Sequence, residues 1–321
     1  MKKHIVFLLI FYISNLSSLL AQGCSDAGFC TMGAMRPNQY LDKRANLSIQ
    51  SIEVAQSLGV VPVFQDMIHS TIIDINASYK TKTSFQARIP YNIVHGKLGT
   101  TQSIGDLFLS VTQIIVQQPK LRIALTIGTR LAIGQSNLTN SEGHVLPLYY
   151  QSGMGSNDII VGASLMTNKW MFALGYQQSL NNSKNTFDPQ KWQDSQYADI
   201  INNFAPNNQF RRGTDLMFRF ERNYRFARFN GFVGALGIYR LNPDQVTMND
   251  NEKMLVQNTQ GIVVSAMAGI GYQFSAQSGI KLLVARKISN EWTRTAHIDG
   301  LARDWVFQIG YQHRFFTQKN K

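Results

Sequence analysis

Histidine and cysteine are the side chains best placed to act as bases, nucleophiles or metal ligands, and this 321-residue chain has six of the first and two of the second. A histidine works as a general base when a nucleophile and an orienting carboxylate or amide stand beside it. His4 lies in an apolar leader. His69, His95, His144 and His297 fall in or at the edges of polar connections, and His313 sits on the last apolar stretch. None has a His-x-Ser-Asn neighbourhood. Cys24 and Cys30 stand six residues apart in a glycine-containing segment, where one small-loop disulfide is the expectation in an exported chain. Chain entropy would make that bridge worth about 2 kcal/mol. No metal-spaced His/Cys group and no phosphate loop is present. Catalytic residues, a metal and a cofactor are therefore not expected.

The remaining chemistry is charge at alternate positions. Arg122 and Arg130 interleave with Leu121, Ile123, Leu125, Ile127 and Leu131, and Asp215, Arg219 and Glu221 interleave with Leu216, Phe218 and Phe220. A strand has a side-chain period of two, so these charges share one face and the apolar side chains the other. The same parity puts Asp74, Arg88, Asp106, Lys281, Lys287, Asp304 and Arg314 on polar faces. Two readings of this inward set stay open: a packed polar core, or a slightly basic path for anionic or carboxylate solutes.

The elements that carry these faces read as strands over residues 45–58, 70–80, 83–94, 104–117, 120–134, 158–167, 170–180, 214–224, 227–241, 261–274, 279–289 and 303–316. The first slips phase between Ile49 and Ile52, which implies a bulge. The stretch 227–241 is ambiguous in phase because it is rich in glycine and alanine. The connections alternate. Short turns fall near Thr81, Gln118-Pro119, Asn168-Lys169, Arg225-Phe226 and Ala276-Gln277. Long segments cover 59–69, 95–103, 135–157, 181–213, 242–260 and 290–302. Alternation of this kind belongs to an all-β, up-and-down antiparallel transmembrane β-barrel, with short periplasmic turns and long outer loops. Twelve strands are expected, within a range of 10–14; fourteen would follow if 181–213 or 242–260 hides a hairpin. The longest loop, 181–213, carries Phe187, Trp192, Tyr197 and Phe204 and reads equally as a folded-in gate or a loose surface loop.

Residues 1–21 read as a signal peptide: Lys2-Lys3, an apolar run from Ile5 to Ile13, then a small residue at Ala21. A lipoprotein cut before Cys24 is the weaker alternative. Residues 22–43 have no strand pattern and either plug the barrel or hang in the periplasm. The barrel spans 44–316, and 317–321 form a tail. No later apolar run is long enough for a helical span. The formal net charge is +12, but an exported barrel argues against a nucleic-acid partner. The expected address is the bacterial outer membrane, with lipid and lipopolysaccharide around the barrel; the oligomeric state is open.

The end of the last strand, Gln308-x-Gly310-x-x-His313-x-Phe315, resembles the terminal signal read by the barrel-assembly machinery, with His313 as a departure. Residues 96–180, about a quarter of the chain, resemble the outer-membrane family described as the MetA-pathway of phenol degradation, which is related to FadL-like hydrophobic-compound transporters. The resemblance rests on Ile104-Gly105-Asp106-Leu107-Phe108-Leu109 and on Ser152-Gly153-Met154-Gly155-Ser156-Asn157-Asp158. A Pro-Thr-Gly loop start of the family is reduced here to the glycine of Leu131-Ala132-Ile133-Gly134. The resemblance implies passive uptake of small, apolar or aromatic-acid solutes. Gly153, Gly155 and Asp158 are then either turn residues or solute contacts. The alternative function is a non-transporting structural or accessory barrel of a secretion or surface complex, with Phe187, Trp192 and Phe204 turned toward a partner.

Overall fold

In the computed structural model the described residues are 32, 48–61, 66–80, 82–248, 252–288, 296, 298–299 and 303–315. The expected signal peptide 1–21, the expected Cys24–Cys30 disulfide, all of 22–43 except Met32, and the expected tail 317–321 lie outside them.

Alternating side chains make the strands, and the strands close on one another. In chain order they are β1 (Ser48–Val61), β2 (Asp66–Tyr79), β3 (Thr83–Gly96), β4 (Gly99–Ile104), β5 (Leu107–Gln118), β6 (Leu121–Leu131), β7 (Asp158–Thr167), β8 (Trp170–Ser179), β9 (Asp215–Phe226) and β10 (Phe229–Arg240). After these come β11 (Asp244–Thr247), β12 (Lys253–Val256), β13 (Gly261–Gln273), β14 (Ser278–Lys287) and β15 (Trp305–Arg314). Neighbours pair antiparallel around the ring, and β1 joins β15, which closes the barrel. Closure leaves no edge to satisfy inside a bilayer. β4 and β5 both pair with β3 and form one wall strand broken at Gly105-Asp106, so the wall has twelve strands. β11 and β12 form a separate hairpin. The loop 242–260 therefore does hide a hairpin, but outside the wall.

The outer face is apolar: Leu125, Ile127, Leu174, Phe218, Ile270 and Ile309 are all exposed. On a soluble protein such a surface would aggregate; around a barrel it meets lipid, and the barrel sits in the bacterial outer membrane. Trp170 stacks on Phe220 near one rim and Trp305 on Phe307 near the other. Arg222 and Arg286 lie over Trp170 and Trp305, so lipid-facing cations reach the interfaces across aromatic rings.

The bulge in β1 is present, with its register shift between Ile49 and Ser51. Strand β10 takes the phase that turns Asn230, Leu236, Ile238 and Arg240 inward. Two expected long loops are corrected. Alternation runs on through 59–61, 66–69 and 95–96, so β1 meets β2 across residues 62–65, and β3 meets β4 across residues 97–98. His69 and His95 accordingly stand on strands, His95 with its Nδ1 3.0 Å from Thr100 Oγ1. The long outer connections begin after β6.

Those long connections fold into the outer half of the barrel. Phe187, Trp192, Ile201 and Phe204 pack with Leu146, Tyr149 and Tyr150, and against Ile68, Val94 and Leu98 of the wall and its turn. Leu148, Phe210, Val246 and Ile298 pack on the inward Phe108, Met217, Leu236 and Ile238. Asn207 ties two loops by accepting from Leu148 N (3.1 Å) and donating to Ile298 O (2.8 Å). Glu142 accepts from Ser195 Oγ (2.8 Å) and Gln196 Nε2 (2.9 Å), which holds its carboxyl below the usual glutamate range. Of the two readings of 181–213, the folded-in one describes the structure.

Candidate functional site

The functional side chains sort by depth. At the outer end, Gly105 and Asp106 interrupt the wall between β4 and β5, and Gly105 N still donates to Pro90 O at 2.8 Å. The break frees Asp106 to accept from two loop amides, Gly134 N (3.2 Å) and Met154 N (2.9 Å). A Cβ on Gly153 would lie 2.5 Å from Asp106 Oδ1, and one on Gly134 3.0 Å away, so only glycine lets both backbones approach the carboxylate. Gly155 has φ +69° and lies against the Ser136 side chain.

Asp106 faces Arg130, whose Nε is 3.7 Å from Oδ2. Arg130 Nη2 reaches Asp158 Oδ2 at 2.8 Å and Ser156 Oγ at 3.2 Å. Gln177 also donates to Asp158. All three charged residues are buried. The two sequence segments that carried the family resemblance thus meet around a single arginine. Their observed contacts are structural: they anchor the outer loop to the wall.

A second network was not anticipated. Arg240, fully buried, donates from Nε to Asp215 Oδ1 (2.8 Å), from Nη1 to Asp244 Oδ2 (2.7 Å) and from Nη2 to Asp299 Oδ2 (3.0 Å). Arg212 adds a short contact to Asp215 at 2.5 Å. The network joins strands β9 and β10 to three outer loops. Arg240 escaped the sequence reading because its strand is phase-ambiguous: it shares a face with the apolar Leu236 and Ile238, which alternation alone would turn to lipid and which the infolded loops instead cover inside the barrel.

Lower in the wall the charges form smaller sets. Arg219 Nε donates to Glu221 Oε1 at 2.6 Å, and Lys281 Nζ sits 2.8 Å from Glu53. Glu53 was missed for the reason the bulge supplies: it shifts the parity of β1. Asp74 accepts from Asn76 and Gln86, both at 2.7 Å. At the outer end, by contrast, the backbone N–H of Lys287 donates to the backbone carbonyl of Asp304 at 3.2 Å, where β14 and β15 meet. Arg88 borders a small cavity of about 60 Å³ beneath the outer loops, together with Asp106, Phe108 and Arg130. That space suits about two waters.

The periplasmic end differs. There a cavity of about 760 Å³ opens among the short turns, lined by Lys120, Arg122, Arg225, Arg228 and Arg314, with Met166, Met171, Asn223, Asn230 and Gln273. Between the two ends Met32 is buried, in an inward cluster with Phe108, Ile160, Ala173 and Met217; its Cε would lie 2.5 Å from a Cβ on Gly128. At least this residue of the N-terminal segment is inside the barrel.

The inward charges are therefore unevenly distributed along the barrel axis. The two outer networks hold three arginines, Arg130, Arg212 and Arg240, against five aspartates. The cationic excess gathers at the periplasmic end. Of the sequence candidates, Arg122 and Arg314 face that cavity, while Arg130, Asp215, Arg219, Glu221 and Lys281 sit in ion pairs.

No family model matches the chain, and no curated protein is significantly similar to it. Among solved structures, it is similar to the COG4313 outer membrane channel from Pseudomonas putida F1. The TM-score is 0.60 at 12% identity, over 87% of this chain and 99% of that one. A monoaromatic hydrocarbon channel, CymD, aligns over 92% of this chain and 94% of that one, at 11% identity and a TM-score of 0.42. The first likeness shows a shared barrel fold.

Proposed function

We propose that this barrel is an outer-membrane channel for passive uptake of small solutes, with apolar and aromatic-acid compounds as its class. The observation that carries the reading is the asymmetry of the interior. An open cavity of about 760 Å³ at the periplasmic end leads toward an outer half that loops and ion pairs close to about 60 Å³. A duct closed at one end by loops is the form of a gated path. Met166 and Met171 in the wall of the open cavity suit solutes with an apolar body. The sequence resemblance to phenol-pathway barrels, and the fold shared with a protein described as a channel, point the same way.

The accessory-barrel reading needed Phe187, Trp192 and Phe204 on a partner-facing surface. They are 0%, 1% and 5% exposed, packed within the barrel's own loops. The test is solute flux into liposomes holding the purified protein, comparing aromatic acids, fatty acids and sugars. Flux of aromatic acids above sugars, rising when 22–43 is deleted, is expected. Absence of flux for every class, with and without that segment, would return the accessory reading to first place.

A further inference from the structure

On the outside of the barrel, alternation along β7 to β10 turns a single cation toward lipid, Arg222, and no carboxylate. Register sets Arg222 directly across from Trp170, the first residue of β8, beside the short turn 168–169. The chain holds this spot firmly. Thr167 Oγ1 accepts from Trp170 N at 3.0 Å, and Lys169 O accepts from Asn223 N at 2.7 Å, which ties the turn to β9. Trp170 then stacks on Phe220 at 4.9 Å, and Phe220 meets Phe172 at 5.0 Å. The Arg222 guanidinium lies 5.0 Å from the Trp170 ring centroid and 5.5 Å from that of Tyr224. The rings hold the guanidinium by its face and offer its N–H groups no oxygen acceptor. Among the described residues no carboxylate pairs with Arg222 or with Lys169, which is exposed in the adjoining turn. Glu221, next in the chain, is buried on the inner face against Arg219.

The surroundings narrow the occupant. The cations stand where strand meets turn, at headgroup depth, and the exposed Phe172, Leu174 and Phe220 continue from them along the lipid-facing wall. The cations call for an anion, and the rings call for hydrocarbon. An inorganic ion would answer only the first and a neutral lipid only the second. Phosphatidylethanolamine would bring its own ammonium to the cations. Lipopolysaccharide occupies the opposite leaflet, at the long-loop end. We propose that Lys169, Trp170, Arg222 and Tyr224 form a binding site for an anionic phospholipid of the periplasmic leaflet. Its phosphate accepts from Lys169 and from the fork of Arg222, and its acyl chains lie on Phe220 and Phe172. The site is on the barrel exterior, so it stands whether or not solutes cross the lumen. The other short turns carry Lys80, Lys82, Lys120 and Arg228 and no acidic residue, which draws the same leaflet to the whole rim.

The test is lipid retention by the purified full-length barrel in a neutral detergent, read by native mass spectrometry. Phosphatidylglycerol is the probe, with phosphatidylethanolamine and phosphatidylcholine of the same chains as comparators. Phosphatidylglycerol should be retained at lower concentration than either. Changing Arg222→Gln together with Lys169→Gln should weaken it about 10-fold or more. Arg222→Lys, which keeps the charge and loses the fork, should fall between and reports on the site even where the double variant folds poorly. Lys82→Gln together with Arg228→Gln removes the same charge from two other turns and should leave retention unchanged. Excess inorganic phosphate should not displace the lipid. Equal retention of the three lipids would mean an ordinary lipid annulus, and equal loss in the two glutamine pairs would mean general rim charge. Displacement by phosphate would mean that the ion alone is read. Each of these would overturn the proposal.

Discussion

Arg130 and Arg240 show what a single residue does inside this barrel. Each is buried and each is held by carboxylates from elements remote in sequence. Burying a charge is unfavourable, and partners recover it only when the geometry is good. Removing one partner leaves the other charges stranded. Arg130→Met should therefore destabilise the folded barrel by about 3–5 kcal/mol, because Asp106 and Asp158 both lose their cation. Arg130→Lys should lie between, since one ammonium cannot reproduce the reach of the guanidinium to both carboxylates. Urea unfolding in micelles, followed by tryptophan fluorescence, measures this; an unchanged midpoint for Arg130→Met would remove the anchor assigned here. Arg130 was legible because its strand alternates cleanly. Arg240 was not, because glycine and alanine around it blur which face is which.

At the scale of elements, the informative features are the broken strand and the inserted loops. The gap at Gly105-Asp106 turns a strand position into a clamp for loop amides, and Gly134 and Gly153 leave room for it. Long polar segments become a compact cap because their few apolar residues, Phe187, Trp192, Ile201 and Phe204, collect on one core. Trp192 is central: its Nε1 donates to Val145 O at 3.2 Å and its ring stacks on His144 at 4.9 Å. Trp192→Ala should cost the cap about 3–5 kcal/mol, the range for truncating a buried aromatic side chain. The loss should stay local. Limited proteolysis should then cut within 180–214 in the variant and spare the parent, while the heat-dependent gel mobility of the barrel is the same in both. Loss of the barrel band in unheated samples would mean the cap and wall are one cooperative unit.

At the scale of the whole molecule, the barrel is an inside-out partition: carbon faces lipid and charge faces the interior. Ile127 is 56% exposed in the middle of β6, between the inward Thr126 and Gly128. Arginine at that position should cost about 2–4 kcal/mol if it sits near the bilayer midplane. Folding into lipid vesicles against urea checks it, and a penalty near zero would mean that this face does not meet the hydrocarbon core. The interior is also polarised along its axis, with aspartates in excess among the outer networks and cations around the periplasmic cavity.

Much of this was readable from residue order. A period of two is a local property, so the facing of Asp74, Arg122, Arg219 and Gly310 followed from their neighbours alone, as did the strand number and the membrane address. The two shortest outer connections were misjudged because polar residues continue the strand alternation there instead of ending it. What residue order could not reveal is partnership. Arg240 and Asp299 are 59 positions apart, and Glu53 and Lys281 are 228 apart. They meet because ring closure and register bring distant strands and loops to one depth. The same closure gathers cations from four elements into one periplasmic cavity and folds the outer loops inward, since both depend on distances across the barrel that no stretch of sequence contains.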